Sequence, residues 1–437
     1  MLLEQLTPDL FCEPDTAGET EEPESETLSF LRVERHIVVK SRVIDDLCFR
    51  SKNLYNRANY EIRQKFIGTS KEAAAGEREH AEWLRYSEID RIAKSWNWSE
   101  YRELPAATSQ QILMILDRNW KSFFNAVRAW AADKDSFTGR PKLPGYKHKT
   151  RGRNIVVFTG QQVKLKDGYI RFPGKSGLAP LKTAVTCGLR QVRIIPSYSC
   201  YVIEVVYSRK TAAHSSLDSS LYLGIDLGLN NLAALTSNQS GLRPLLINGC
   251  PLKSLNQFFN KRKAELMSFT GGTGTSKRIE KLTLKRNCKA EDYLHKTSRL
   301  IADYAVMHRI GNIVVGQNKD WKREINIGRK NNQSFVSVSF GKLVEQIQYK
   351  AEEIGIKVIL TEESYTSKCS FFDSEEIGKH DEYKGRRVRR GLFETLSGRL
   401  VSADVNGSAN IIRKVFPDAF ADGTEGVGLR PVRVTPS

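Results

Sequence analysis

No stretch of this 437-residue chain approaches the eighteen or so apolar residues that a bilayer crossing needs, which excludes a membrane-spanning helix from the sequence reading. Nor is there a CxxC pair. The seven cysteines (Cys12, Cys48, Cys187, Cys200, Cys250, Cys288 and Cys369) are scattered, which argues against a disulfide framework and against a complete zinc ribbon and leaves buried, reduced thiols as the expectation. Residues 1–28 contain nine acids and neither Lys nor Arg, so the basic-then-apolar pattern of an export signal is missing. They read as a disordered acidic tail, and a cytoplasmic, nucleoid-associated protein is expected.

Positive charge is what the rest has in excess. Residues 29–437 hold 68 Lys and Arg against 41 acids, or +27, a field that attracts polyanions and binds phosphate backbones in a salt-dependent way. Several of these bases are interleaved with aromatics, which points to nucleic acid.

Along the chain, residues 30–40 alternate as a strand (Leu31, Val33, Ile37, Val39), and Asp45 or Asp46 is placed to cap a helix carrying Leu47, Leu54, Ala58 and Ile62. Thr108 and Gln111 form a T-x-x-Q capping box ahead of a helix with Ile112, Leu116, Trp120, Phe123, Val127 and Trp130 on one face, a stripe read as core and not as a base-stacking surface. The loop TGRPKLPGYKHKTRGR (138–153) displays Arg140, Lys142, Lys147, Lys149, Arg151 and Arg153 on irregular backbone suited to phosphate contacts. From Ile155 to Tyr207 the period changes to two, with a hairpin on Asp167-Gly168. A small β-barrel interrupted by a helical insertion is expected, followed by a linker at 210–220.

In LYLGIDLGLNN, Tyr222, Gly224, Asp226 and Gly228 share one face of a short strand, and an acid in that setting needs a reason. Flanking glycines let a phosphate approach while Asp226 reaches a metal. Two further strands follow at hairpin distances, then helix from about 253 to 309, the strand NIVVGQN, a helix near 340–354 and the strand IKVILTEE. That is the element order of an RNase H-like mixed sheet, whose enzymes use several carboxylates around two Mg2+ ions. A second carboxylate is available at Asp404, in LVSADVNGSANIIRKV, where it could equally be a helix cap. Lys281, Lys285 and Arg286 add basic groups to the long helix, and Arg386, Arg387, Arg389 and Arg390 to KGRRVRRG.

At these residues the chain resembles the TnpB (OrfB) family of transposon-encoded proteins, relatives of the type V CRISPR effector nucleases. GIDLGLNNLAALTSN is similar to the first RuvC motif of that family, ADVNGSANI to its third, and ESYTSKCS to the entry of its zinc-ribbon segment. LPAATSQQILMILDRNWKSFF and GRPKLPGYK resemble its N-terminal helical region and the loop beyond, and NQFFNKRKAELMS and DYLHKTSRLIADYA resemble segments between its first two RuvC motifs. The resemblance implies an RNA-guided DNA endonuclease: a transposon-derived guide RNA pairs with double-stranded DNA beside a short duplex motif, and one RuvC site cuts it. It implies Mg2+, with Mn2+ as substitute, and one protein copy in the ribonucleoprotein.

Two departures from the family pattern matter. The strand NIVVGQN commonly ends in Glu in the family, and here the position is Gly316. Glu362 and Glu363 lie at the tip of the next strand, about 4.8 Å away in a paired sheet, and alternation sends them to opposite faces so that only one can serve. Glu363 is preferred, as in Fanzor-like relatives, with Glu362 as alternate; Asp320 and Glu324 are weaker substitutes. Secondly, the paired cysteines of the zinc site are reduced to Cys369, which with His380 cannot close a tetrahedral site, so zinc is not expected.

The expected fold is thus a multidomain α+β chain. It comprises a tail (1–28), a wedge-like β-barrel (29–44 and 148–209), an inserted helical nucleic-acid-recognition domain (45–147) and a linker (210–220). These are followed by an RNase H-like, RuvC-type α/β nuclease domain (221–364 and 401–420), a degenerate zinc-ribbon-like target-binding insert (365–400) and a tail (421–437). Asp226, Glu363 and Asp404 are the expected metal ligands. A nuclease-inactive RNA-guided repressor and a strand-joining transposase are the alternatives.

Overall fold

The computed structural model describes residues 27–197, 199–212, 216–317, 338–421, 423, 427 and 430–436. The acidic tail up to residue 26, Asp320 and Glu324 lie outside the described residues.

The first half opens with β1 (Thr27–Val38) and runs through helices α1 (Arg42–Ala74), α2 (Tyr86–Ser95), α3 (Ser99–Arg102) and α4 (Ala106–Ala132). Strands β2 (Val156–Thr159), β3 (Lys164–Lys166), β4 (Tyr169–Arg171), β5 (Leu181–Lys182), β6 (Leu189–Ser197) and β7 (Cys200–Ala212) follow. They form two sheets, ordered β1-β7-β6-β2 and β3-β4-β5, so the first has β1 and β2 as edges instead of closing into a ring. One apolar core, from Ile44 through Trp120 to Val205, joins these strands to the helices. Asp167 and Gly168 both take positive φ (53° and 74°), as a two-residue turn between paired antiparallel strands requires.

Local details depart from the sequence reading for identifiable reasons. Leu31, Val33, Ile37 and Val39 face outward, because Arg32 and Glu34 on the other face of β1 are taken up by Glu353 and Thr183. Helix α1 is capped by Ser41, whose Oγ accepts from the Ile44 amide at 3.3 Å, while Asp45 is committed to Arg153. Helix α4 begins at Ala106 after Pro105, ahead of the supposed capping box, and Thr108 is buried instead. The expected linker is mostly strand, since β7 pairs with β1 as far as Ala212 and the next strand starts at Asp218.

The second half contains β8 (Asp218–Leu227), β9 (Asn231–Ser237), β10 (Leu245–Asn248), α5 (Cys250–Ser268), α6 (Lys277–Met307) and β11 (Ile310–Gly316). It continues with α7 (Phe340–Glu352), β12 (Lys357–Thr361), β13 (Arg386–Arg389), β14 (Leu392–Glu394), β15 (Leu400–Ser402), α8 (Ala403–Val415) and β16 (Val432–Val434). The six-stranded sheet has the order β12-β11-β8-β9-β10-β16. β8, β9 and β10 are antiparallel neighbours; β11 lies parallel to β8, and β12 parallel to β11. The short β16 adds an edge beside β10 that nothing in the sequence reading anticipated.

One face of this sheet is covered by α5, α6 and α7 through a core from Leu223 to Ile356, and the other by α8. Helix α8 sits very close: a Cβ at Gly224 would lie 2.2 Å from the Ser408 carbonyl oxygen, so only glycine allows that approach. Tyr222, two residues earlier on the same face of β8, stacks on Phe416 with centroids 4.1 Å apart. Among the described residues, no helix is long and apolar enough to cross a membrane.

Candidate active site

Strand β8 carries Asp226 to the end of the sheet with its side chain toward α8. Neighbouring β11 has Val315 in register with Ile225, which sets Gly316 beside Asp226. Gly316 in turn is in register with Thr361 of β12, and the chain continues from Thr361 to Glu363. Glu363 folds back across the end of β11: a Cβ on Gly316 would lie 2.6 Å from both Cγ and Oε1 of Glu363 and 2.6 Å from Cδ1 of Ile411. The missing side chain at 316 is therefore the space in which the Glu363 side chain lies. Glu362 points away, exposed, and accepts a hydrogen bond from the Ser364 hydroxyl.

The third carboxylate comes from α8. Asp404 lies in its first turn, and one turn later Gly407 faces Asp226, where a Cβ would meet Asp226 Oδ2 at 2.7 Å. The Asp226 carboxyl is pushed well above the ordinary range, first by burial, then by the negative charges of Glu363 and Asp404, with Arg387 opposing. Of the three acids that the sequence singled out from separate segments, Glu363 and Asp404 are thus both near enough to disfavour the charged form of Asp226.

Asp404 is also held from outside. Asn231 Nδ2 donates to its Oδ2 at 2.7 Å, and an Arg387 guanidinium nitrogen is 3.9 Å from its Oδ1. Among the described residues, no three His, Cys, Asp or Glu side chains yet stand close enough to share one cation. The donor set nevertheless suits a divalent cation, because carboxylate oxygens are hard ligands and a buried Asp226 facing two further acids is relieved by positive charge beside it.

A cleft of about 540 Å3 opens over Asp226 and Asp404, walled by Asn231, Arg387, Arg390 and Arg433 among others. Glu363 lies over Gly316, outside that wall. Arg433, on β16, donates to the Asn230 carbonyl at 3.1 Å and to Asn248 Oδ1 at 2.8 Å. Neither Asn231 nor Arg433 was foreseen. Asn231 had a signal in the doubled asparagine of LGLNN, whereas Arg433 enters only through the unpredicted edge strand.

The turn after Glu363 is fixed by α8. Asn406 Oδ1 accepts from the Phe371 amide at 2.9 Å and its Nδ2 donates to the Cys369 carbonyl at 2.9 Å. Asn410, one turn on, donates to the carbonyls of Thr366 (2.9 Å) and Cys369 (2.8 Å), and Lys414 donates to that of Ser364 at 3.2 Å. All five residues from Asn406 to Asn410 are buried, so the ADVNGSAN string is used twice: Asp404 faces the cleft, and the asparagines tie down the Glu363 turn. Cys369 is buried, its thiol pushed up by burial and directed at the Gly378 carbonyl at 3.6 Å, while His380 Nε2 is 2.8 Å from the Glu376 carbonyl. Residues 386–402 form the three-stranded sheet β13-β14-β15, which presents Arg387, Arg389 and Arg390 to solvent; Arg386 pairs with Glu394 at 2.7 Å.

Of the other proposed phosphate contacts, Arg140, Lys142, Lys147, Lys149, Arg151, Lys281 and Lys285 are exposed. Arg153 and Arg286 are not available in this way. Arg153 grips both oxygens of Asp45 (2.8 and 2.7 Å), and Arg286 donates twice to Asn256 Oδ1 (2.8 and 2.6 Å), its own charge disfavoured by burial.

Comparison with known proteins falls into line with these motifs. Residues 203–322 match the OrfB_IS605 family, described as a probable transposase, and residues 340–411 match the Cas12f1-like TNB domain. The resemblance to TnpB (OrfB) proteins is shown by these matches together with individual relatives. The TnpB-like protein ORF457 of Acidianus two-tailed virus is 24% identical over 420 residues, 86% of this chain and 83% of its own. The CRISPR-associated endodeoxyribonuclease Cas12f1 of Sulfoacidibacillus thermotolerans is 30% identical over 207 residues, 45% of this chain and 46% of its own, so the chain spans less than half that relative's length. Among solved structures, a Cas12f1-sgRNA-target DNA complex covers 87% of this chain and 98% of its own, at 14% identity and a TM-score of 0.35.

Proposed function

We propose that the chain is an RNA-guided DNA endonuclease that hydrolyses phosphodiester bonds at a single RuvC-like site formed by Asp226, Glu363 and Asp404. The observation that carries this reading is the approach of the three acids at one end of the sheet, with Asp226 disfavoured as an anion first by burial and then by the other two. The strand order β12-β11-β8-β9-β10 supports an RNase H-like, RuvC-type assignment for this half. The names of the relatives, which include a TnpB-like protein and a CRISPR-associated endodeoxyribonuclease, support nucleic acid as the substrate.

Mg2+ or Mn2+ bound by these carboxylates would supply an activated water and charge neutralisation at the leaving oxygen. The chain's own groups do the rest. Asp226 would hold the cation from the strand end and Glu363 from the neighbouring turn, and Asp404 would exchange its contacts with Asn231 and Arg387 for the cation. Once released, Arg387 together with Arg390 and Arg433 faces the cleft and can hold the phosphates of the strand being cut. In the same proposal residues 29–44 and 148–209 hold the guide RNA, residues 45–147 recognise duplex, and residues 365–400 contact target, in one protein copy per ribonucleoprotein. The exposed bases of the 140–151 loop and of 281–285 serve phosphate contacts, without Arg153 and Arg286.

The test is to purify the chain with co-expressed RNA from its own locus and offer a matching DNA library with randomised flanks, in Mg2+. Cleavage beside one short flank is expected, with Asp226→Ala removing cleavage and sparing RNA and DNA binding. Cutting that persists in a chelator, or in Asp226→Ala, would contradict the mechanism. Binding without cutting in the unaltered protein would indicate a guided repressor, and RNA-independent joining at transposon ends a transposase.

A further inference from the structure

We propose that a second cleft, on the helical segment and away from the carboxylates, holds one unpaired nucleotide; the proposal rests on the nucleic-acid reading above. The cleft has a volume of about 380 Å3 and lies between residues 81–85 and the outer face of α4. Lys121, Phe124, Asn125 and Arg128 line it from α4, at spacings that put them on one helix face. Trp83 and Arg85 line it from the other side.

Its floor is aromatic. Trp120 is fully buried and donates from its ring nitrogen to Asn59 Oδ1 at 3.1 Å. Trp83 stacks on Trp120, with centroids 6.0 Å apart and planes 16° apart, and leans on Phe124 at 5.4 Å. The Arg85 guanidinium lies 4.5 Å from the Trp83 centroid. Trp120 lies near-parallel to Trp83 at an offset, and the exposed Arg85 places its planar cation over the same Trp83 ring. A nucleobase plane extends such a stack, because a guanidinium is weakly hydrated and takes a flat π-system on its face.

The remaining groups complete a nucleotide site. Asn125 carries a donor and an acceptor for a base edge. Arg128 has no carboxylate within ion-pair reach among the described residues and is available to a phosphate, whereas Lys121 on the same wall is paired with Asp117 at 2.8 Å. A core-only explanation accounts for Trp120 but not for the basic rim around Trp83 and Phe124. The volume is at the small end of the range for small-molecule sites, roughly 300–1,000 Å3, and a paired base, covered on both faces by its neighbours, has no free face to offer.

Unpaired nucleotides occur both in an RNA and in a displaced DNA strand, and the test separates them. The full chain is mixed with single-stranded RNA carrying 5-iodouridine or single-stranded DNA of the same sequence carrying 5-iododeoxyuridine. Each mixture is irradiated, cross-linked peptides are mapped, and affinities are measured in parallel with a duplex. Cross-links should fall in residues 81–85 or 121–128, more strongly for the strand type that uses the site. Arg85→Ala combined with Arg128→Ala should weaken single-strand binding about tenfold and leave duplex binding within twofold. If that variant loses its fold by circular dichroism, Asn125→Ala with Lys121→Ala makes the same test from the exposed face of α4. Unchanged single-strand affinity in a folded variant, or cross-links only elsewhere, overturns the nucleotide site while leaving the nucleic-acid reading in place. An unaltered protein that binds neither RNA nor DNA overturns both.

Discussion

Placing a methyl group on Gly316 tests the structural basis of the relocated glutamate. In Gly316→Ala the new Cβ would stand 2.6 Å from Glu363 Cγ, Glu363 Oε1 and Ile411 Cδ1, well inside van der Waals contact. Two effects oppose each other. Alanine is preferred to glycine in a strand by about 0.5–1 kcal/mol, and overpacking a filled space costs about 1–3 kcal/mol, so net destabilisation is expected. The softest of the three contacts is the glutamate, which should swing away. A displacement of about 1 Å at a reacting centre can cost about 100-fold in rate, so cleavage should fall by about that factor with RNA affinity unchanged. Adding Glu363→Ala to Gly316→Ala should restore part of the stability, since it removes two of the three colliding atoms, but none of the activity. Gly316→Glu with Glu363→Ala returns a carboxylate to the end of β11 and should recover activity above that of Glu363→Ala alone. The assays are single-turnover cleavage and thermal unfolding over the full mutant cycle. Gly316→Ala cutting at the unaltered rate would refute the claim that Glu363 acts from the space above residue 316.

Other perturbations test neighbouring parts of the site. Without metal, Asp226 has a raised pKa in the folded chain, so its ionisation destabilises the fold at neutral pH. That penalty should disappear as pH falls through the raised pKa toward the unfolded value of 3.8, and Asp226→Asn should raise the melting temperature at pH 7; Mg2+ should stabilise the unaltered protein and not this variant. Gly407→Ala gains up to about 1 kcal/mol of helix propensity, yet its Cβ would be 2.7 Å from Asp226 Oδ2, so a loss of cleavage, read in the same assay, is expected to prevail. Asn410→Ala leaves the Thr366 and Cys369 carbonyls without that donor and should cost about 1–3 kcal/mol in denaturant unfolding and slow cleavage through the Glu363 turn. Glu363→Gln should reduce cleavage sharply, and Glu362→Gln, on an exposed side chain, should leave it within a few-fold.

What the sequence disclosed depended on whether the signal was local. The apolar periodicities of α4 and β8 and the turn chemistry of Asp167-Gly168 were legible because each is set by neighbours in the chain. Asp226 stood out because a carboxylate in an apolar strand is costly without a use. Three classes of feature were not legible. Caps were misjudged where a candidate acid had a distant partner, as Asp45 has in Arg153. The outward turn of Leu31, Val33 and Ile37 depends on Arg32 meeting Glu353, more than three hundred residues away. The place of Arg433 depends on a three-residue strand too short to carry a periodic signal. Glycine at 316 was readable only as a loss; its meaning as room for Glu363 needed coordinates.

The shared cation site is tested most directly by locating Mn2+ through its anomalous X-ray scattering in crystals of the protein with its RNA and DNA, using a phosphorothioate at the cut position to slow cleavage. The account predicts Mn2+ in contact with carboxylate oxygens of Asp226, Glu363 and Asp404, with Asn231 no longer bonded to Asp404. Manganese bound elsewhere, or held without Glu363, would contradict it.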